Sequence, residues 1–472
     1  MALKDEFPSV NYYDQDFVDI YDRTWAWSID FENKGNNANG INEYFTHPDN
    51  KTINLFETCM SSFFLVYSNK NYDVSIYLDN FYKKQESNGA IRSDYSLETG
   101  KPVFTQDNPE GLNPPLFAWV EYNLYHKVGQ KKRIKDIMPY LEKYYTWLDD
   151  NFRMENGLYS VPLSATTMVN SPRKDAYYMI DFNCQVAMSC LYMSALGDVL
   201  NDKEISFRYK KRFFSLKTRI STKMWCDEDG FYYDLDKNEN MIKEKTIASY
   251  WSLLAELPNE EKLEKLKNHL VDPNEFGTDN TFPTLSVSSQ YFDENGNGYC
   301  GSVYPYFTFM VIKGLEKYNE YELARESAIK HLYFILDTFH PENGQKGSLW
   351  EAYKPFKDGP ASCWDGNSYK SLYLPATGIS TIALMIENIV GLCISLPRKT
   401  VDWIVPTLEL MGISDLSLKR NMITILSNKT NRGWEIRLES EKLYYFTFDL
   451  IGTKKKTLPI PSGKCSMLID KL

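Results

Sequence analysis

Apolar residues return every three or four positions in this chain, segment after segment, from about residue 15 to 395. That period commits most of the chain to amphipathic helices. Segment 131–152 shows the pattern: Ile134, Ile137, Met138, Leu141, Tyr145 and Leu148 fall on one helical face. The same spacing predicts helices over 15–29, 53–67, 73–86, 116–128, 133–150, 182–199, 203–224, 246–255, 259–270, 303–318, 320–339 and 378–394. Loops rich in aromatic residues, Gly and Asn separate them. About a dozen helices in alternation suits six hairpins around an axis, and also a bundle or a solenoid. No fixed-length repeat is visible, which weighs against the solenoid.

After about residue 398 the period changes to two. Segments 434–440 and 443–450 alternate, 457–469 carries a Pro/Gly turn between apolar runs, and Met411–Leu418 and Met422–Leu426 offer further strands. The expected division is 1–397, helical, and 398–472, a small β-sandwich-like module that caps it.

The net charge of −10 removes the electrostatic basis for binding nucleic acid or an anionic membrane. Eight cysteines without a CxxC pair read as free thiols and favour the cytoplasm, or the periplasm if a leader has been removed. No run approaches the roughly 18 apolar residues of a membrane span. Five scattered histidines, an Asp293–Gly298 loop lacking the closing Glu of a calcium site, and no phosphate-binding glycine motif leave no metal or cofactor expected. Asp234, Asp236 and Asn238 read as a hairpin. The aromatic share is high, 15%. Such residues fill cores, and they also stack on sugar faces.

Three blocks carry a resemblance. They are GSVYPYFTFMVIKGLEKY (301–318), GSLWEAYKP (347–355) and SLYLPATGISTIALMIENIVGL (371–392). Segments 78–94, 113–122, 155–160, 169–173, 224–236 and 245–258 follow in matching order. Together they resemble the trehalase-like and mannosylglycerate hydrolase-like glycoside hydrolases. The resemblance implies an (α/α)6 toroid, an oligosaccharide or glycoside substrate, and hydrolysis with inversion. Inversion needs a carboxylic acid for the leaving oxygen and a carboxylate for the attacking water, about 6.5–9.5 Å apart.

The resemblance places the general base at Glu351, between Trp350 and Tyr353. Its proton donor should be the Asp of an MDNSPR-like motif, but this chain reads Met168-Val169-Asn170-Ser171-Pro172-Arg173. Valine donates no proton. Asp175 and Asp181 are the nearest substitutes, although Asp181 also suits a helix cap. An early Trp-Asp pair of the family is Phe56-Glu57 here, its WPP aromatic is Tyr304, and the Trp of its GWSG block is missing.

Candidate sugar-orienting groups are Glu57, Asp79, Asn80, Arg92, Asn113, Asn170, Arg173, Tyr304 and Trp350. The arginines suit either bidentate carboxylate binding or loop anchoring. The expected activity is inverting glycoside hydrolysis with an unusual acid. A non-hydrolytic sugar-binding scaffold and a carbohydrate lyase or epimerase stand as alternatives. The sugar and the oligomeric state are not readable.

Overall fold

A computed structural model of the chain describes residues 7–36, 38–340, 347–418, 421–451, 454–460 and 462–470. The chain is mostly helical, with a strand-rich C-terminal region. The helices are α1 (Gln15–Ser28), α2 (Leu55–Leu65), α3 (Val74–Tyr82), α4 (Phe117–Val128), α5 (Lys131–Phe152) and α6 (Ile180–Leu200). Then come α7 (Lys203–Lys223), α8 (Trp251–Leu254), α9 (Glu260–Val271), α10 (Pro305–Glu316), α11 (Tyr321–Phe339) and α12 (Leu374–Gly378). A π-helical stretch, Ile379–Ile389, continues α12.

Even-numbered helices pack in a closed cycle: α2 on α4, α4 on α6, α6 on α8, α8 on α10, α10 on α12 and α12 back on α2. Odd-numbered helices lie outside them, α3 on α2, α5 on α4 and α6, α7 on α6, α11 on α10. The sequence explains the difference. Helix α6 is buried almost all round, whereas α5 buries only Ile134, Ile137, Met138, Leu141, Tyr144, Tyr145, Trp147 and Leu148. A helix with one apolar stripe belongs at a surface, and one apolar on every side belongs inside.

Inside the cycle aromatic rings meet. Trp119 of α4 touches Phe63 of α2 at 4.4 Å, Trp251 of α8 at 6.1 Å and Phe309 of α10 at 6.2 Å between ring centres. Much of the high aromatic content is spent here and on similar contacts.

Besides four two-stranded pairs, the described strands form two larger sheets. One orders Ser9–Asn11, Gly412–Leu418, Asn421–Thr430, Gly433–Ser440 and Gly463–Asp470. The other orders Leu392–Ser395, Thr400–Val405, Tyr444–Leu450 and Lys454–Ile460. Two expectations are corrected. The helix read over 378–394 stops at Ile389, and Leu392–Ser395 is a strand paired with Thr400–Val405. A continuous apolar run does not by itself distinguish the two. In addition, an N-terminal strand enters the C-terminal sheet, with Val10 opposite Ile413. The two apolar runs around the Pro/Gly turn do not pair with each other. The first pairs with Tyr444–Leu450 and the second with Gly433–Ser440, in different sheets.

Asp234–Leu235 and Met241–Ile242 form the expected hairpin, and Asp293–Gly298 is a turn closed by Gly296 N–H on the Asp293 carbonyl at 2.9 Å. Seven cysteines are free thiols; the side chain of Cys465 lies outside the described residues. No described helix is long and apolar enough to cross a membrane.

The strand region is tied to the helices by fully buried Trp403, whose indole N–H donates to the Val390 carbonyl at 2.6 Å. Trp403→Ala should cost about 3–5 kcal/mol, read as a lower urea midpoint.

Candidate functional site

Glu57 stands in the first turn of α2, whose N-cap is Asn54; the Asn54 side chain accepts the Glu57 N–H at 3.0 Å. Asn54 also donates to Asp94 at 3.1 Å and accepts from Asn113 at 3.3 Å. The helix start therefore fixes the Glu57 backbone and gathers a second acid beside it. The Glu57 carboxyl accepts from Thr46 at 3.4 Å, from Asn50 at 3.3 Å and from the Tyr373 hydroxyl.

Glu351 arrives from a loop pinned on both sides. Trp350 bridges to Ser371, and Tyr353 bridges to Val303 through bonds of 2.8 and 2.9 Å. The Tyr353 hydroxyl accepts the Trp350 N–H at 2.9 Å. Among the described residues nothing hydrogen-bonds the Glu351 carboxyl.

Tyrosines surround the two acids. Tyr304 stacks on Tyr299 with ring centres 4.6 Å apart, and its hydroxyl meets that of Tyr369 at 2.5 Å. Tyr306, near the start of α10, has a buried hydroxyl with no partner among the described residues. Its acidity is suppressed by burial and then by the charges of Glu57 and Glu351, so it neighbours both. Exposed Trp364 lies 5.8 Å from Tyr299, and His47 stacks on Tyr373 at 5.5 Å. Lys370 bonds Asn50 and is the cation whose charge reaches both acids.

Burial, and next the charge of Glu351, push the Glu57 carboxyl up to about 8. Burial pushes Glu351 up to about 7, against a lowering pull from Lys370. A helix N-terminus favours a carboxylate, yet at Glu57 desolvation and a like charge outweigh it. At neutral pH one acid holds its proton and the other titrates.

The position expected to supply the acid is different. Half-buried Val169 precedes Asn170, whose amide donates to the Asn297 carbonyl at 2.7 Å and accepts the Tyr299 N–H at 2.8 Å. Gly298 lets this loop pass, since a Cβ there would lie 2.6 Å from both Asn170 and Trp364. Asn170 thus braces the tyrosine loop.

Arg173 spends all five N–H groups inside the protein, on Asp181, Asp234 and the Met168 sulfur. It is 0% exposed and Asp181 1%. The expectation that Arg173 clasps a ligand and that Asp181 donates a proton is corrected: both are locked in a buried clamp at the head of α6. Asp175 is exposed on the adjoining turn, outside the contacts that build the tyrosine cluster.

Arg92 is held by Glu86 at 2.7 Å and Glu110 at 2.9 Å, and Asp79 by Arg133 at 3.0 Å. Fully buried Asn80 bonds the backbone of Asn42 and Glu43. These three were expected near a sugar, and instead they anchor loops and the outer helix α3. Glu57, Asn113, Tyr304, Trp350 and Glu351 remain around one region. Sequence reading missed His47, Asp94, Tyr299, Tyr306, Tyr369, Lys370 and Tyr373. Tyr306, Tyr373 and Asp94 fall within the resembling segments 301–318, 371–392 and 78–94; Tyr299 and Tyr369 were signalled by aromatic density alone, and His47 and Lys370 by nothing local.

The family described as mannosylglycerate hydrolase MGH1-like glycoside hydrolase domain matches residues 75–370. The chain belongs to that glycoside hydrolase family. Residues 391–472 match the trehalase C-terminal domain. An uncharacterized protein of Borreliella burgdorferi is 50% identical over 99% of this chain and 100% of its own. Among solved structures, a GH63 mannosylglycerate hydrolase from Thermus thermophilus in complex with glucose superposes with a TM-score of 0.59 at 17% identity, covering 79% of this chain and 98% of that one. A GH78 rhamnosidase of Bacillus sp. GL1 gives 0.66 at 13% identity, over 92% of this chain and 42% of that one. These likenesses show the fold. Membership in the family supports a glycosidase-like function for this chain.

Two tests follow from the geometry. Asp181→Asn replaces one of the two buried carboxylates on Arg173 by a neutral amide while Asp234 stays paired with it, and should cost about 1–3 kcal/mol, measured by denaturant melts, while activity per folded molecule stays near wild type. Secondly, Glu57 and Glu351 keep protons to higher pH when folded than unfolded. The native state therefore binds more protons between about 4.5 and 8, and stability falls as pH rises through that window. Glu57→Gln should flatten that fall in melts taken across the window.

Proposed function

We propose that this chain is an inverting glycoside hydrolase in which Glu351 is the general base and Glu57 replaces the acid missing at Val169. The helical cycle is read as an (α/α)6 toroid over 1–397, with 398–472 as a closing β module. The observation that carries the reading is a pair of carboxyls in one tyrosine-walled region, one raised to about 8 and the other to about 7. Carboxyls of unlike protonation are what acid and base roles require.

In the proposed step Glu351 takes a proton from water as its oxygen bonds the anomeric carbon. The glycosidic bond breaks, and Glu57 gives its proton to the leaving oxygen. The free Tyr306 hydroxyl and Asn113 orient the sugar, and Tyr304, Trp350 and Trp364 supply ring faces for it. The substrate is an oligosaccharide or glycoside. Val169 favours a second reading, a binding scaffold that does not hydrolyse.

Glu351→Gln and Glu57→Gln should each lower kcat by at least about a hundredfold, with circular dichroism unchanged. Proton NMR of the first product should show the inverted anomer. Activity needs Glu57 protonated and Glu351 ionised, so the pH profile should be a bell centred between about 7 and 8. Full turnover by either variant overturns its assigned role. Sugar binding without turnover by wild type would establish the scaffold.

A further inference from the structure

A cavity lies at the other ends of the same helices. Tyr306 and Glu57 stand near the starts of α10 and α2, while Lys313 and Glu316 stand at the end of α10 and Lys127 at the end of α4. Trp119, Phe63, Phe309 and Trp251 fill the space between. Beyond them opens a cavity of about 460 Å3, within the ~300–1,000 Å3 range of small-molecule sites. One wall is helical, and the other is the strand pair 392–395 and 400–404.

We propose that this cavity is a second carbohydrate site, taking a neutral mono- or disaccharide and separate from the region around Glu351. Its walls carry Trp119, Tyr122, Tyr192 and Tyr321, the flat apolar faces on which a pyranose ring packs.

Its floor is charged but already balanced. Lys313 pairs with Glu316 at 3.0 Å and Glu387 at 2.6 Å, Lys127 with Glu387 at 3.3 Å, and Lys317 with Glu256 at 3.1 Å. A balanced floor does not call for an ionic ligand. It presents both donors and acceptors, which is what hydroxyl groups need.

Unspent capacity converges on the same space. The Asn123 amide and the Asp402 carboxylate line it and make no hydrogen bond or ion pair with any described residue. Exposed Arg398, also lining it, makes one long bond of 3.5 Å to the Tyr122 hydroxyl. An amide, a carboxylate and a guanidinium left open in one aromatic-walled cavity match the vicinal hydroxyls of a sugar. A phosphate or a carboxylate would be repelled by Asp402.

The experiment uses the full chain carrying Glu351→Gln, to prevent turnover, titrated calorimetrically with glucose and with maltose. The same protein with Arg398→Ala and Asn123→Ala added is titrated alongside. Two classes of site are expected in the first protein. The added substitutions should weaken one class by about tenfold or more, with thermal melts unchanged. An identical isotherm in both proteins overturns the proposal, as does a single class of site that the added substitutions leave unchanged. Binding of inorganic phosphate in place of sugar also overturns it.

His126, beside Arg398 and Lys127, separates the last case by NMR. Burial, Arg398 and Lys127 hold its pKa down to about 4; a neutral sugar leaves the ring unprotonated, whereas an anion draws that value up. Failure here is distinguishable from failure of the proposed function. Wild-type hydrolysis without Arg398-dependent binding removes this site alone. Arg398-dependent binding without hydrolysis removes the glycosidase reading alone.

Discussion

The contact on which the architecture turns is the meeting of Trp119 with Phe63, Trp251 and Phe309. These rings come from four helices that are not consecutive, and α4 is not a packing neighbour of α8 or α10 in the cycle. Only side chains of this size reach across such an interior without leaving a void. The same contact has a topological effect. It separates the helix beginnings, where Glu57 and Tyr306 stand, from the helix ends, where Lys127 and Lys313 stand. Unpaired acids, Glu57 and Glu351, thus lie on one side of it, and a cavity floored by paired lysines and glutamates lies on the other.

Desolvation and ion pairing give the two ends different electrostatic characters. Around Glu57 and Glu351 the described cation is exposed Lys370, so burial and mutual repulsion prevail and both carboxyls keep protons upward of their ordinary range. Around Glu387 two lysines are close enough to reverse the sign, and the carboxyl is held down to about 2 although burial alone would raise it. Carboxyls of one type thus become a proton store at one end and a fixed anion at the other. Glu387 has two lysines within ion-pair distance, whereas Glu316, with Lys313 alone, is still raised by its burial.

Helices were legible wherever one face was apolar and the other was not, as in 131–152, because that contrast is local. The stretch after Ile389 was not legible, since its continuous apolar run continues that of the helix before it and carries no period of its own. Glu351 was readable from its resemblance block, and Glu57 from its place after Phe56. The tyrosine cluster was not. Tyr299, Tyr306 and Tyr369 look like ordinary core residues in sequence, and only the convergence of loops 297–306 and 362–373 brings them together. The cavity at the helix ends was hidden for a similar reason. Lys313 and Glu316, three apart on a helix, read as a solvated pair, and nothing local signals that strands 392–404 will close over them.

The motif at 170–173 illustrates why a familiar pattern is weak testimony for chemistry. Asn170 holds the loop that carries Tyr299, and Arg173 holds the head of α6 through Asp181 and Asp234. Asp234 also accepts the Ile180 N–H at 2.7 Å, so the clamp joins three separate segments. Removing any member leaves an uncompensated buried charge or an orphaned backbone donor. Arg173 through the clamp, and Asn170 through its bonds to Asn297 and Tyr299, thus serve the fold whether or not position 169 carries an acid. Retention of the motif is therefore accounted for by folding alone, and evidence for catalysis has to come from the two carboxyls that the clamp does not touch.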